Sequence, residues 1–429
     1  MVAGSFRDYC FESVGMTEIV LPTELEGVRE AARRALAPIK PADAGSRAAA
    51  DFLFTAERTD ASRNLPPYYL IYFLFVDLLG FRNLGRFEKL DWSVPIDLEG
   101  KAYLIEHRKF GVGVFAQDPV GEEQQAKRIV ALIRKGVKAA APFFKWMADN
   151  AVLESKINVR NVGARLFARY IYFRDSFRTA SVEAETNKRD HEVWQKQREL
   201  SIGGYSVKAR SSATPSELVA MFTFPWVHME QRSGWLALAA IDAFFAWTEH
   251  IFIHLAILQG RITTGEEVAE LAESEWKEKF KSALDITDKV AKKHFDGLVT
   301  IKRQLRNFMA HGAFGKESQA FSFHSNAGAV PVALDHSATK SQFSLTPELA
   351  FDDKEALVTI ENFIAYLWSG QREPARIYIQ ESDLPLILPM ASDGTYTAAM
   401  ATVGDMKIFV DRLMRESDAA ANMDWWPID

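Results

Sequence analysis

Apolar residues recur at spacings of three and four over most of this chain, and at a spacing of two in one short region. In TELEGVREAARRALAPIK (23–40) the three–four spacing predicts a helix that Pro38 and Pro41 bring to an end. Residues 91–119, DWSVPIDLEGKAYLIEHRKFGVGVFAQDP, switch to alternation, with a turn over Asp97–Lys101 and a second break at FGVG. That stretch predicts a small antiparallel sheet among helices. Helical spacing returns from Gly121 to about Glu199. Gly, Ser and Thr then crowd 203–217 around Pro215, which predicts a domain boundary. Residues 218–370 read as helices. Beyond them ARIYIQ and LPLIL read as short strands, SDGT as a turn, 402–416 as a helix and NMDWWPID as an aromatic tail. The expected fold is mostly α: an N-terminal α+β module over 1–215, a helical domain over 216–372, and a strand/helix tail over 373–429 packed on the bundle.

Composition adds bounds. The 429 residues are too many for one ordinary core, and 48% hydrophobic with 25% charged residues is ordinary for a globular protein. Cys10 is the single cysteine, which excludes an internal disulfide framework and suits a reducing compartment. The first residues, MVAGSFRDYCFESVGMTE, have neither the basic start nor the apolar run of a signal peptide. YYLIYFLFVDLLGF (68–81) is too short to span a membrane and contains Asp77. WLALAAIDAFFAWTEHIFIHLAIL (235–258) is long enough, but carries Asp242, Glu249, His250 and His254. A buried helix accounts for it better, so the expectation is a cytoplasmic protein with no membrane partner. A net charge of −6 means that any contact with nucleic acid is local.

The candidate chemistry gathers in KKHFDGLVTIKRQLRNFMAHG (292–312). Leu298, Ile301, Leu305 and Phe308 form an apolar stripe, while Arg303, Asn307 and His311 follow one another at spacings of four on another face. Arg306 lies beside that polar stripe. Gly312 is suited to the left-handed residue that ends a helix, which puts His311 in the last turn, where the carbonyl end of the dipole favours a protonated ring. A histidine near its pKa can take the proton of an RNA 2′-hydroxyl, and an arginine fork can hold the phosphate as charge builds on it. The same residues also serve as plain capping and ion-pairing groups in many helices.

Arg306, NFMA and His311, with Asn307 directly after the arginine, resemble the motif of the HEPN superfamily (higher eukaryotes and prokaryotes nucleotide-binding). The flanking segments resemble it too: a long apolar helix containing AFFAWTEHIFIHLAIL, a polar helix GEEVAELAESEWKEKFKSAL, the motif helix, and a closing helix DDKEALVTIENFIAYLW (352–368). The resemblance covers about 150 residues and implies a four-helix up-and-down bundle. It also implies a homodimer whose two motifs form one composite cleft, and metal-independent endoribonuclease activity without a cofactor. Under it His311 is the base, Arg306 the phosphate clamp and Asn307 the positioning residue. Roles in phage defence or as a toxin, with tRNA or mRNA as target and a protein partner or antitoxin, are implied by resemblance alone. Some members place a tyrosine two residues after the histidine; here Ala313 stands there. The segment 316–345 inserts an expected hairpin before the closing helix. The alternative is a non-catalytic module that binds nucleotides, RNA or protein through the same surface.

Glu249 and Asp242 are acids in an apolar helix; Glu249 is expected to pair with Arg306 or His311, or with some other arginine. His250 and His254 have metal-ligand spacing but no third ligand nearby, and read as core histidines. Asp97 and Glu106 are similar to the acids of metal-dependent nuclease cores, but Arg108 stands where those cores have a lysine, and hairpin-flanking charges are the default explanation. Residues 151–210 carry a local charge of +5. Within them Arg160, Arg165 and Arg169, with Arg174 and Arg178 beyond, are the expected RNA-binding candidates, or simply a solvated basic face.

Overall fold

The computed structural model describes residues 21–43, 45–49, 51–202, 225–311, 322–325, 328–331 and 353–423. Helix α1 (Glu26–Leu36) leads into strand β1 (Ile39–Pro41); a short helix α2 (Phe52–Thr55) precedes β2 (Glu57–Arg58). Helix α3 (Tyr68–Tyr72) runs on as a π turn over Phe73–Leu78, and the alternating region forms β3 (Leu90–Leu98), β4 (Lys101–Arg108) and β5 (Gly111–Ala116). These strands make one antiparallel sheet in the order β1-β3-β4-β5-β2. The β3–β4 turn is Glu99–Gly100, both at positive φ, and the Asp97 carboxylate accepts the Gly100 N–H at 2.9 Å. Val94, Ile96, Tyr103, Ile105 and Val114 face a first core with α1, α3 and helix α4 (Glu123–Ala139). The expected small sheet among helices is therefore present, two short edge strands wider than the pattern indicated.

The second core is wholly different in build. After helix α5 (Ala141–Leu153) and strand β6 (Asn158–Val159) come the long helices α6 (Gly163–Ile202) and α7 (Pro225–Leu258). The expected polar helix of 265–284 is two, α8 (Gly265–Glu273) and α9 (Trp276–Ala283), separated by Ser274 and Glu275 in extended conformation. Helix α10 (Lys289–His311) carries the motif, and α11 (Asp353–Leu367) closes the group. Between them β7 (Ser322–Ser325) and β8 (Gly328–Pro331) pair as the expected hairpin. The chain ends in α12 (Glu373–Arg376), a π turn over Ile377–Glu381, β9 (Leu386–Ile387) paired with β6, and helices α13 (Pro389–Ser392), α14 (Thr395–Ala399) and α15 (Val403–Ala421).

Three expectations change. The boundary at 215 does not separate the two cores. Buried members of the first end at Phe143, those of the second begin at Tyr170, and Ile157 and Val159 already pack on the second. Helix α6 thus belongs with the bundle, because its Phe167 and Tyr170 stack on Trp247 and Phe244 of α7. ARIYIQ is helical rather than a strand: Ile377, Tyr378 and Ile379 are all buried, and a continuous apolar run suits a buried helical turn as well as a strand. LPLIL keeps only two strand residues. The stretch 203–217 and the tail from residue 424 lie outside the described residues. Helix α7 is long and apolar enough to cross a membrane by length and composition. Its apolar side chains pack instead into the second core.

The two cores meet where α8 starts against the end of α5. The Gly265 N–H donates to Ser155 Oγ, and a Cβ at Gly265 would collide with the carbonyl oxygen of Val152. Backbone cannot yield as a side-chain tip can. Gly265→Ala is expected to cost about 1–3 kcal/mol, read as a lowered urea midpoint with unchanged slope.

Candidate functional site

Asp288 caps α10, its carboxylate accepting the Ala291 N–H at 2.9 Å. Leu298, Ile301 and Leu305 are buried as the stripe predicts. The opposite flank leaves Arg303 and Arg306 exposed, and neither carries an ion pair among the described residues. The backbone is helical over Lys289–His311; the side chains of Asn307 and His311, and Gly312 with the helix end expected there, lie outside the described residues.

Glu249 is the correction at this site. Its carboxylate receives Lys302 Nζ at 3.1 Å and Lys279 Nζ at 3.6 Å, so its partners are two lysines and not Arg306. Lys302 also lies over the rings of Phe245 (5.0 Å) and Trp276 (5.6 Å). The partly exposed Lys302 pair and each cation–π contact contribute about 0.5–1 kcal/mol at most, while Lys279 itself is buried. The consequence is electrostatic: Glu249 is already neutralised, and the Arg306 guanidinium one turn beyond Lys302 is not held by it. Asp242, seven residues before Glu249, is exposed. Sequence reasoning missed Lys302 and Lys279, since they come from α10 and α9 and only packing brings them together.

The arginines of α6 divide into two sets. Arg174 and Arg178 turn toward Glu361 of α11 and Asp175. Arg160, Arg165 and Arg169 are exposed and form no ion pair among the described residues, and Tyr172 beside them is 67% exposed.

His250 and His254 tie the start of α6 to α7. His250 Nε2 accepts the Val162 N–H at 3.0 Å, while the two ring nitrogens of His254 face the carbonyls of His250 (2.9 Å) and Arg160 (3.2 Å). Asn161 completes the knot, donating to the carbonyls of Tyr378 and Ile379. Burial lowers the pKa of His250 to about 3, helped by His254, and that of His254 to about 4 against the pull of its two carbonyls. An unfolded chain binds these protons near pH 6.5. Stability is therefore full above that pH and falls as the pH drops from 6.5 toward 4, by about 1 kcal/mol per pH unit per histidine. Urea unfolding at pH 7.5 and pH 5 checks this; replacing both histidines with glutamine is expected to flatten the difference.

The sheet acids do not converge. Glu106 is buried and holds Arg108 at 2.6 Å and the Ser93 hydroxyl at 2.9 Å, whereas Asp97 caps its turn and lies 4.0 Å from Lys40. Ser93 is opposite Glu106 and Ala102 opposite Asp97, so the acids stand four strand positions apart, about 13 Å. One metal cannot bridge them, and no group of three or more His, Cys, Asp or Glu is poised for a metal among the described residues. At the same end of the sheet His107 stacks on Tyr68 at 4.0 Å and meets Asp91 at 3.4 Å, with Arg86 on the other Asp91 oxygen. Nearby, burial raises the Asp77 carboxyl to about 6. Asp77 in an apolar run was the only sequence signal of this cluster. Comparison with protein-family models, curated proteins and solved structures returned no match for this chain.

Proposed function

We propose that the chain is a metal-independent endoribonuclease of the HEPN type, working as a homodimer whose two motif helices share one cleft. The observation that carries this reading is the exposed Arg306, free of ion pairs among the described residues, on a helix that ends five residues later at His311. Neutralisation of Glu249 by Lys302 and Lys279 supports it, because that carboxylate does not hold the guanidinium. In this mechanism His311 takes the proton of the 2′-hydroxyl and the freed oxygen attacks phosphorus. The bond to the 5′-oxygen breaks, and that oxygen receives a proton from His311 of the second copy. A 2′,3′-cyclic phosphate remains on the upstream fragment. Arg306 offsets the charge that accumulates on the phosphate oxygens. Asn307, one turn before His311, orients the ring.

RNA incubated with the purified protein, with and without EDTA, tests the proposal. Cleavage that survives EDTA and disappears in His311→Ala is the expected result. Cleavage that needs a metal and is lost in Glu106→Ala moves the chemistry to the sheet. No cleavage by any form leaves a non-catalytic binding module.

A further inference from the structure

We propose that the face of α6, α7 and α10 left exposed among the described residues is a platform for single-stranded RNA, with Tyr172 and Trp235 stacking bases while Arg165, Arg169 and Arg306 hold phosphates; this rests on the ribonuclease reading only for the choice of RNA.

Helix α7 is the centre of the bundle and has neighbours on three sides. Phe167 of α6 meets Trp247 at 4.9 Å, Trp276 of α9 meets Phe245 at 5.4 Å, and Phe363 of α11 meets Phe244 at 6.0 Å. The fourth side carries Trp235, Ala239, Asp242, Ala246, Glu249 and Ile253, an alternation of four and three that keeps one face of a helix. None of the six is buried, and Trp235 is 67% exposed.

Both flanks of this strip are basic. Arg165, Arg169 and Tyr172 follow at four and three on α6, about half a turn from Arg174, Arg178 and Glu185, which reach back to α11. On the side away from α11, Glu183 of α6 meets Arg232 of α7 at 3.7 Å, so this flank of α6 runs beside α7. Across the strip, Lys302 is fixed beside Glu249, and Arg306 follows one turn nearer the Trp235 end because α10 runs antiparallel to α7. Three guanidinium groups thus stand without ion pairs among the described residues on one face of a chain with net charge −6, with Asp242 as an exposed acid on the strip between them.

Charge and ring chemistry together select the occupant. A polyanion matches the arginines, and two exposed aromatic faces match bases that are free to leave a stack. A duplex keeps its bases paired and offers only phosphate and groove. The arginines of α6 therefore lead a single strand across Trp235 toward Arg306.

The test uses the full chain and a fluorescently labelled, 2′-O-methylated single-stranded RNA, which cannot be cut by 2′-hydroxyl attack, followed by anisotropy at several salt concentrations beside a matched duplex. Tighter binding of the single strand is expected, with about 10-fold weaker binding in Tyr172→Ala and in Trp235→Ala. Arg165→Gln and Arg169→Gln are each expected to reduce the slope of log affinity against log salt by about 0.7, while Arg34→Gln on α1 leaves it unchanged. Wild-type affinity in both aromatic variants, or preference for the duplex, overturns the platform even if ordinary RNA is still cleaved. Conversion of a dimer to monomers in those variants, with RNA binding intact, also overturns it and gives the face to a second copy. Binding that responds as stated while ordinary RNA stays uncut supports the platform and defeats the ribonuclease reading instead.

Discussion

Cleavage of RNA by the His311→Ala protein is expected to be about 10²–10⁴-fold slower than by the wild type, the usual worth of a positioned general base. The argument starts from the helix. An imidazole in the last turn of a helix is favoured in its protonated form by the unsatisfied carbonyls there, and the proposal gives His311 that position. One copy must hold the ring neutral to accept the 2′-proton, and the other must hold it charged to protonate the leaving oxygen. The rate is therefore expected to be bell-shaped in pH for the wild type and flat for the variant. Arg306→Ala is expected to lower the rate about 10²–10³-fold, and Arg306→Lys to recover part of it, since an ammonium keeps the charge and loses the planar fork. Because His311 also ends its helix, each variant needs a melting curve. A wild-type rate in His311→Ala with an unchanged melt would end the proposal.

Much of what frames this site was legible in the chain. The stripe of Leu298, Ile301 and Leu305 fixed which flank of α10 is buried. The β3–β4 hairpin was legible because alternation and a turn with Gly100 agree. What escaped was partnership. A stripe shows that a helix is amphipathic without saying what it packs on, so α6 was grouped with the sheet although Tyr170 and Phe177 sit in the second core. Glu249 was recognised as unusual, yet its two lysines come from helices about 30 and 50 residues onward, and spacing carries no information over that distance. The run IYI in ARIYIQ failed for a simpler reason: a short, wholly apolar segment has no polar position from which to read a period.

The largest expected loss of stability follows from the same second core. Phe363 of α11 is fully buried and meets Phe244 and Phe252 of α7 at 6.0 and 6.2 Å, Phe280 of α9 at 5.7 Å and His294 of α10 at 5.7 Å. Three helices thus converge on one ring of a fourth, and none can close the gap without dragging another. Phe363→Ala is expected to cost about 3–5 kcal/mol. The buried members of the first core run from Leu25 to Phe143 and none belongs to this one, so the effect is expected to be regional. Hydrogen exchange followed by peptide mass is the measurement. Amides of α7, α10 and α11 are expected to lose protection together with those of α6, while those of β3, β4 and β5 keep theirs. Should α6 instead keep the protection of the sheet, it would belong to the N-terminal unit after all, and the platform proposed for α6, α7 and α10 would lose its rigid base.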